Sequence, residues 1–429
     1  MLFLERALHK EHPSHIISLL HIYRNSQDME SIKYFQVSTA LTAMAAAVVM
    51  ASGVALAVAS VDTSAGDFAA SWIDSALDGA LKNLVAMPGG PPGVIAIVQR
   101  GKLRKVHRFG VADLSNDRPM RVNDHMRIAS VAKAFSGATA LSLVSKGVLS
   151  LDDTIGQHLP DLPDAWSDVT LRQLLGHTSG LPDFSKSADF LAAVQASPEK
   201  APSPRRLLAF VENKPLIFPP GSRYKYSNSD NIVVGLMVEA ATKNAYKREL
   251  KNQVFGPLGL ISTSLPAGPE LPEPFIHGYD NDPSHQPPED LSEVIAAGWS
   301  WASGGVVSSP SDLNIFIRGY VGGRLFDSKT QTQQRTVVEG GQSEPPGPGK
   351  NAAGLAIFRY TTRCGTVWGH TGNTPGYTQF AAASPNGGSS VILSVNEQLS
   401  LSQGAPGVLD ALREAEELAV CAALAEAFG

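Results

Sequence analysis

The chain has 429 residues, a formal net charge of −5 at pH 7 and 43% hydrophobic residues. That length exceeds one ordinary domain, and the apolar content is that of a folded globular protein, which excludes a disordered or purely linker chain. With mild acidity and no basic stripe, zinc-finger spacing or heptad run, nothing points to nucleic acid as a partner.

Residues 1–28 carry His9, His12, His15 and His21. We read this segment as a non-native upstream extension, with translation beginning at Met29, rather than as a metal site. Residues 29–60 follow as an export segment. Val37 to Ala59 is an uncharged Ala/Val-rich run behind Lys33, and Ala55-Leu56-Ala57 or Ala57-Val58-Ala59 supplies a small-residue cleavage site. The pattern predicts a cleaved signal peptide; its length also fits an uncleaved N-terminal membrane anchor. Both readings place the body, residues 61–429, outside the cell or on the cell-wall side of the membrane.

Within the body, Phe68, Trp72, Ile73, Leu77, Leu81 and Leu84 have helical spacing from Asp67 to Met87, and Pro88–Gly93 ends that run. Val94–Gln99 and Leu103–Val111 read as strands around a Gly101-Lys102 hairpin. Asp124 is expected to cap a turn leading into a helix from Ser130 to Lys146, ended by Gly147. Residues 151–292 hold short helical patterns broken by Pro and Gly, among them Leu171–Leu175 and Asn231–Ala241. Ser343–Lys350 is a loop by composition. Strand patterns return at Ala353–Tyr360, Thr366–His370, Tyr377–Ala382 and Ser390–Val395, the last two joined at Asn386-Gly387. Pro406–Phe428 closes the chain as an amphipathic helix carrying Cys421.

Strands thus cluster at both chain ends, with a mostly helical subdomain at about 151–292 inserted between them. The expected fold class is α/β: one antiparallel sheet built from both chain ends, flanked by the terminal helices, with a ligand cleft against the inserted subdomain. Cys364 and Cys421 either form a disulfide between a strand region and the last helix or remain two buried thiols. No Cys-x-x-Cys or His/Cys cluster suggests a metal, and no cofactor is expected.

Three short motifs carry chemistry. In Ser130-Val131-Ala132-Lys133 the serine and lysine share a helix face, so the amine can activate the hydroxyl. A lysine serves as a base only when burial or nearby cations favour its neutral form. The spacing recurs at Ser197–Lys200 and Ser222–Lys225, but only Ser130 opens a long apolar helical run. In Tyr226-Ser227-Asn228, the phenol can move protons, while the amide can accept from Lys133 and donate to a substrate carbonyl. Tyr279-Asp280-Asn281 repeats that spacing. In Gly369-His370-Thr371-Gly372, strand N–H groups can hold an extended ligand, and His370 can supply protons or positive charge near Tyr226. His177-Thr178-Ser179-Gly180 is a similar string.

Taken in order, the three motifs resemble the serine penicillin-recognising enzymes, the DD-peptidases and class C β-lactamases. Gly176-His177-Thr178-Ser179-Gly180-Leu181 and Phe218-Pro219-Pro220-Gly221 add to the likeness, which runs from about Asp67 to the C-terminus. The resemblance implies Ser130 as acylated nucleophile, Lys133 as its activator, Tyr226 as proton shuttle and Asn228 as a substrate-amide contact. It implies an oxyanion hole from the backbone N–H of Ser130 and Asn373, a substrate-facing strand at His370-Thr371-Gly372, and Trp299 as a cleft wall.

Many β-lactamases of this kind carry Lys-Thr-Gly, whereas His-Thr-Gly is similar to secreted D-alanyl-D-alanine carboxypeptidases, in which a disulfide placed like Cys364–Cys421 also occurs. Those enzymes hold the substrate carboxylate with an arginine on the strand before His-Thr-Gly. Here Phe358 stands at that position, with Arg359 beside it on the opposite strand face and Arg363 beyond. The expected activity is a D-Ala-D-Ala carboxypeptidase acting on peptidoglycan stem peptides, with β-lactams as acylating inhibitors or substrates. A β-lactamase, esterase or D-amino-acid amidase of the same fold is the near alternative, and a non-catalytic penicillin- or muropeptide-binding module the distant one.

Overall fold

The computed structural model describes residues 63–282, 284–399 and 407–425. The upstream extension, the export segment with its cleavage sites, and residues 406 and 426–428 of the last expected helix lie outside the described residues.

Short apolar strands from both chain ends form one antiparallel sheet. They are β1 (Gly93–Arg100), β2 (Leu103–Asp113), β3 (Arg118–Pro119), β4 (Val338–Glu339), β5 (Lys350–Ala353), β6 (Phe358–Thr362), β7 (Gly365–Thr374), β8 (Tyr377–Ala383) and β9 (Ser389–Val395). The order across this nine-stranded sheet is β3-β2-β1-β9-β8-β7-β6-β5-β4. The two chain ends meet at β1 and β9, paired from Val94–Val395 to Arg100–Ser389. The hairpin turns at Gly101 and Gly387 have φ of 56° and 69°, the left-handed region that glycine enters without strain.

Five longer helices matter to the site: α1 (Thr63–Ala86), α2 (Ala132–Ser145), α3 (Asn228–Thr242), α4 (Pro310–Val321) and α5 (Val408–Leu424). Side chains alternate across β1 because successive strand residues face opposite sides. Val94, Ala96 and Val98 pack with Leu77, Leu81 and Leu84 of α1 and with Leu412, Ala415 and Ala419 of α5. Ile95 and Ile97 face the other way, into a core with Phe135 of α2 and Phe316 and Ile317 of α4. The result is the expected α/β layering, with the inserted helical region on the α2 side.

Four local expectations change. Asp124 caps no helix: it is buried and pairs with Arg118, while α2 follows a 3₁₀ turn at Ala129–Val131. The strand expected at Ala353–Tyr360 splits into β5 and β6. Between them the N–H groups of Leu355 and Ala356 donate to Gln334 and Leu175 carbonyls instead of to a ladder. The strand expected at Thr366–His370 extends through Thr374, since β8 pairs with it along that length. Helix α4 was not anticipated, although Ser309 at its N-cap, Pro310 at its first position and Asp312 in its first turn mark its start.

The cysteines form a disulfide, with Cα atoms 5.1 Å apart, which ties the β6–β7 turn to α5. No helix of the described residues is long and apolar enough to cross a membrane.

Candidate active site

Ser130 lies in the 3₁₀ turn that opens α2, and Ala129 before it has φ of 48°, an unusual conformation for a residue with a side chain. Strand β7 explains how this turn is held. A Cβ built on Gly372 would lie 2.5 Å from the Ile128 carbonyl oxygen and 3.2 Å from the Ser130 nitrogen. The third motif therefore meets the first backbone to backbone, and a glycine permits it.

One turn along α2, the Lys133 Nζ donates to Ser130 Oγ at 2.9 Å, to Asn228 Oδ1 at 2.6 Å and to the Ser303 carbonyl at 2.8 Å. The side chain is fully buried, and burial lowers its pKa from 10.5 to about 7 against the opposing pull of Asp183, Glu344 and Asp230. Burial thus favours the neutral amine, the form whose lone pair can accept the Ser130 proton.

Asn228 begins α3 and turns its oxygen to Lys133. Its Nδ2 donates to Asp183 Oδ2 at 3.1 Å and to Ser185 Oγ at 2.9 Å. Both amide hydrogens have partners inside the protein, and Asn228, which also lines the cleft, orients Lys133.

Tyr226 is buried, with its ring centroid 4.9 Å from Lys133 Nζ and 6.4 Å from the His370 ring. The His370 Nδ1 lies 2.5 Å from the Thr371 carbonyl oxygen, which only accepts, so Nδ1 bears the proton. Burial, reinforced by the Lys133 charge, lowers the His370 pKa to about 3. The expectation that His370 supplies positive charge is therefore corrected; it is a neutral ring beneath Tyr226. Thr371 is also redirected. Its buried hydroxyl lies 2.6 Å from both Ser343 Oγ and the Pro345 carbonyl, and its side chain does not line the cleft.

A cleft opens at Ser130, and Asn228, Trp299 and Asn373 line it as well. Its walls are largely apolar: Phe190, Leu191 and Val194 on one side, Val294, Ile295 and Trp299 on another. Trp299 is mostly buried, and its Nε1 donates to the Pro198 carbonyl at 3.0 Å, so it both walls the cleft and pins the 197–198 segment. No lysine or arginine is among the lining residues.

Phe358 packs edge-on to His370, ring centroids 5.0 Å apart, and lies 6.5 Å from the Tyr226 ring. Arg359 pairs instead with Glu339 at 2.7 Å, as expected for the opposite strand face. None of the duplicate Ser, Lys and Tyr residues lines the cleft. Ser197, Lys200, Ser222 and Lys225 are exposed, and the Tyr279 hydroxyl accepts from the Leu114 N–H at 2.8 Å.

Three contributors escaped the sequence reading. Asp183 and Ser185 follow the quoted Gly176–Leu181 string closely enough to have been suspected. Ser303 acts through a backbone carbonyl, which leaves no mark on residue type. Among the described residues Asp280, His285 and Glu289 offer ligand atoms within 4.8 Å of one another, but none lines the cleft.

The chain is similar to known proteins in sequence and in overall fold. The chain is 26% identical over 299 residues to Penicillin-binding protein 4* of Bacillus subtilis (strain 168), covering 67% of this chain and 64% of that protein. It is 30% identical over 209 residues to a D-aminopeptidase of Brucella anthropi, covering 48% of this chain and 39% of that protein. The chain thus spans less than two thirds of either relative's length. Among solved structures, a D-stereospecific amidohydrolase from Streptomyces sp. superposes with a TM-score of 0.68 at 26% identity, over 79% of this chain and 98% of that one. The D-amino acid amidase from Ochrobactrum anthropi SV3, complexed with L-phenylalanine amide, gives 0.70 at 26% identity, over 81% and 98%. The Beta-lactamase family model matches residues 77–412, which hold every strand of the sheet together with Ser130, Lys133, Tyr226 and His370, and the chain belongs to that family.

Proposed function

We propose that this serine hydrolase cleaves amide or peptide bonds of D-configured substrates bearing an apolar acyl residue, through an acyl-enzyme on Ser130. The observation that carries this reading is a dehydrated Lys133 amine 2.9 Å from Ser130 Oγ at the edge of an apolar cleft. Neutral Lys133 takes the Ser130 proton as Oγ bonds to the carbonyl carbon. The backbone N–H groups of Ser130 and Asn373 hold the oxyanion. Tyr226 delivers a proton to the nitrogen as the C–N bond breaks, and the amine departs. Water then attacks the ester and gives a proton to Tyr226, while Lys133 returns its proton to Ser130 Oγ, which leaves as a hydroxyl.

The D-configured substrate class is supported by the similarity to a D-aminopeptidase and to D-amidohydrolase structures. The amide preference is supported by Phe358, an uncharged ring at the position where the resemblance to secreted carboxypeptidases implies a carboxylate-binding arginine. A second reading, a D-Ala-D-Ala carboxypeptidase acting on peptidoglycan peptides and acylated by β-lactams, is favoured by His370-Thr371-Gly372 and by the likeness to Penicillin-binding protein 4*. Export across a membrane belongs to the same proposal, and the Cys364–Cys421 disulfide supports it, since such bonds persist in oxidising compartments.

The test is turnover of D-phenylalanine amide, a D-Ala-D-Ala peptide, a small ester and a cephalosporin, with mass-spectrometric mapping of the acylated residue. We expect fastest turnover of the amide, acylation at Ser130, and loss of turnover in Ser130→Ala. Faster turnover of the D-Ala-D-Ala peptide would move the assignment to the second reading. Full activity of Ser130→Ala would sink both.

A further inference from the structure

The Gly176–Leu181 string lies directly under the Tyr226 loop. We infer that His177 is a positioning residue for Tyr226, locked in turn by Asp230; this rests on the reading of Tyr226 as proton shuttle.

His177 grips both flanks of Tyr226. Its carbonyl accepts from the Lys225 N–H at 2.8 Å, and the Ser227 N–H approaches its Nδ1 at 3.4 Å. Between these anchors the two rings pack, centroids 4.6 Å apart and tilted by 41°. The next residue extends the clamp, as the Thr178 carbonyl accepts from the Gly221 N–H at 2.7 Å.

Behind the imidazole, Nδ1 lies 2.7 Å from Asp230 Oδ2, and Ser179 Oγ donates to Asp230 Oδ1 at 2.5 Å. Burial pushes the Asp230 carboxyl up and the His177 imidazole down to about 3, and the short Oδ2–Nδ1 contact locks the ring in place. His177 keeps this place at φ of 52°, a backbone conformation that disfavours its side chain. Asp230 sits in the first turn of α3, so this buried pair fastens the Tyr226 loop to that helix. A proton donor displaced by about 1 Å loses on the order of 100-fold in rate, and this clamp prevents such a shift.

The experiment compares Tyr226→Phe, His177→Ala and the double variant in the full chain, using D-phenylalanine amide and p-nitrophenyl acetate. The nitrophenolate leaves without a proton, so burst acylation by the ester does not need Tyr226. We expect His177→Ala to lower amide kcat about 100-fold with KM within about threefold, and to spare the ester burst within about threefold. The double variant should be no slower on the amide than Tyr226→Phe alone. His177→Asn, whose side chain tolerates a left-handed backbone, serves where His177→Ala does not fold, with the same outcome expected.

Near-wild-type amide turnover by both His177 variants, equal losses on amide and ester, or an additive double variant would each overturn the positioning role. Retention of amide turnover by Tyr226→Phe fails the shuttle reading instead, and no amide turnover by the wild type fails both.

Discussion

Asp183 holds Asn228 through a 3.1 Å contact from Oδ2 to Nδ2, and this turns the amide oxygen of Asn228 onto Lys133 at 2.6 Å. The same carboxylate is the strongest charge opposing the loss of the Lys133 proton. It therefore orients one partner of the lysine while tuning the lysine itself.

The pH profile follows. With Lys133 at about 7, kcat/KM should have an acid limb with its midpoint near pH 7, falling about tenfold per unit below it as the amine becomes ammonium. Asp183→Asn removes an anion that raises the lysine pKa, so the neutral amine persists to lower pH and the limb moves down. Rate profiles from pH 5 to 9 check this; an unmoved limb would dissociate Asp183 from the lysine.

The contact between β7 and the Ser130 turn leaves no room for a side chain. Gly372→Ala places a Cβ 2.5 Å from the Ile128 carbonyl oxygen, a backbone atom that can yield only by moving the turn. We expect acylation of Ser130 to slow by about 100-fold and stability to fall by about 1–3 kcal/mol. Burst labelling and thermal denaturation measure the two separately.

The cleft walls predict a preference that scales with apolar area. Along a series of acyl side chains from methyl to benzyl, each added methylene that is buried should contribute about 0.8 kcal/mol, roughly fourfold in kcat/KM. Leu191 lines the cleft, and Leu191→Asn should flatten the series without altering turnover of the methyl member. A series that is already flat in the wild type removes the apolar cleft from specificity.

The disulfide closes a loop across a sequence separation of 57. The double substitution Cys364→Ser, Cys421→Ser should cost about 2–4 kcal/mol, chiefly by freeing the unfolded chain. Urea denaturation gives the change in midpoint, and cleft acylation should survive below the transition because neither cysteine lines the cleft.

Local pattern was enough for much of this architecture. Helical spacing placed Ser130 and Lys133 on one face, and alternating apolar residues located the strands. Gly101 and Gly387 marked the hairpins, since left-handed turns favour glycine wherever they occur. Helix α4 and the break between β5 and β6 lay beyond that reach. The break depends on Leu355 and Ala356 finding carbonyls at Gln334 and Leu175, partners that no local window contains.

The site divides along the same line. Residue types and their order along the chain identified Ser130, Lys133, Tyr226 and His370 as a candidate set, because those chemistries are intrinsic to the side chains. Folding decided what each does. Lys133 meets Asn228 across a separation of 95 residues and Ser303 across 170, and the burial that brings its amine toward neutrality exists only once those segments close around it. The same burial leaves His370 uncharged, commits Asn228 to Asp183 and Ser185, and exposes the duplicate Ser–Lys pairs. Side-chain chemistry is carried by the residue itself, whereas desolvation and hydrogen-bond commitment arise from neighbours that only tertiary structure supplies.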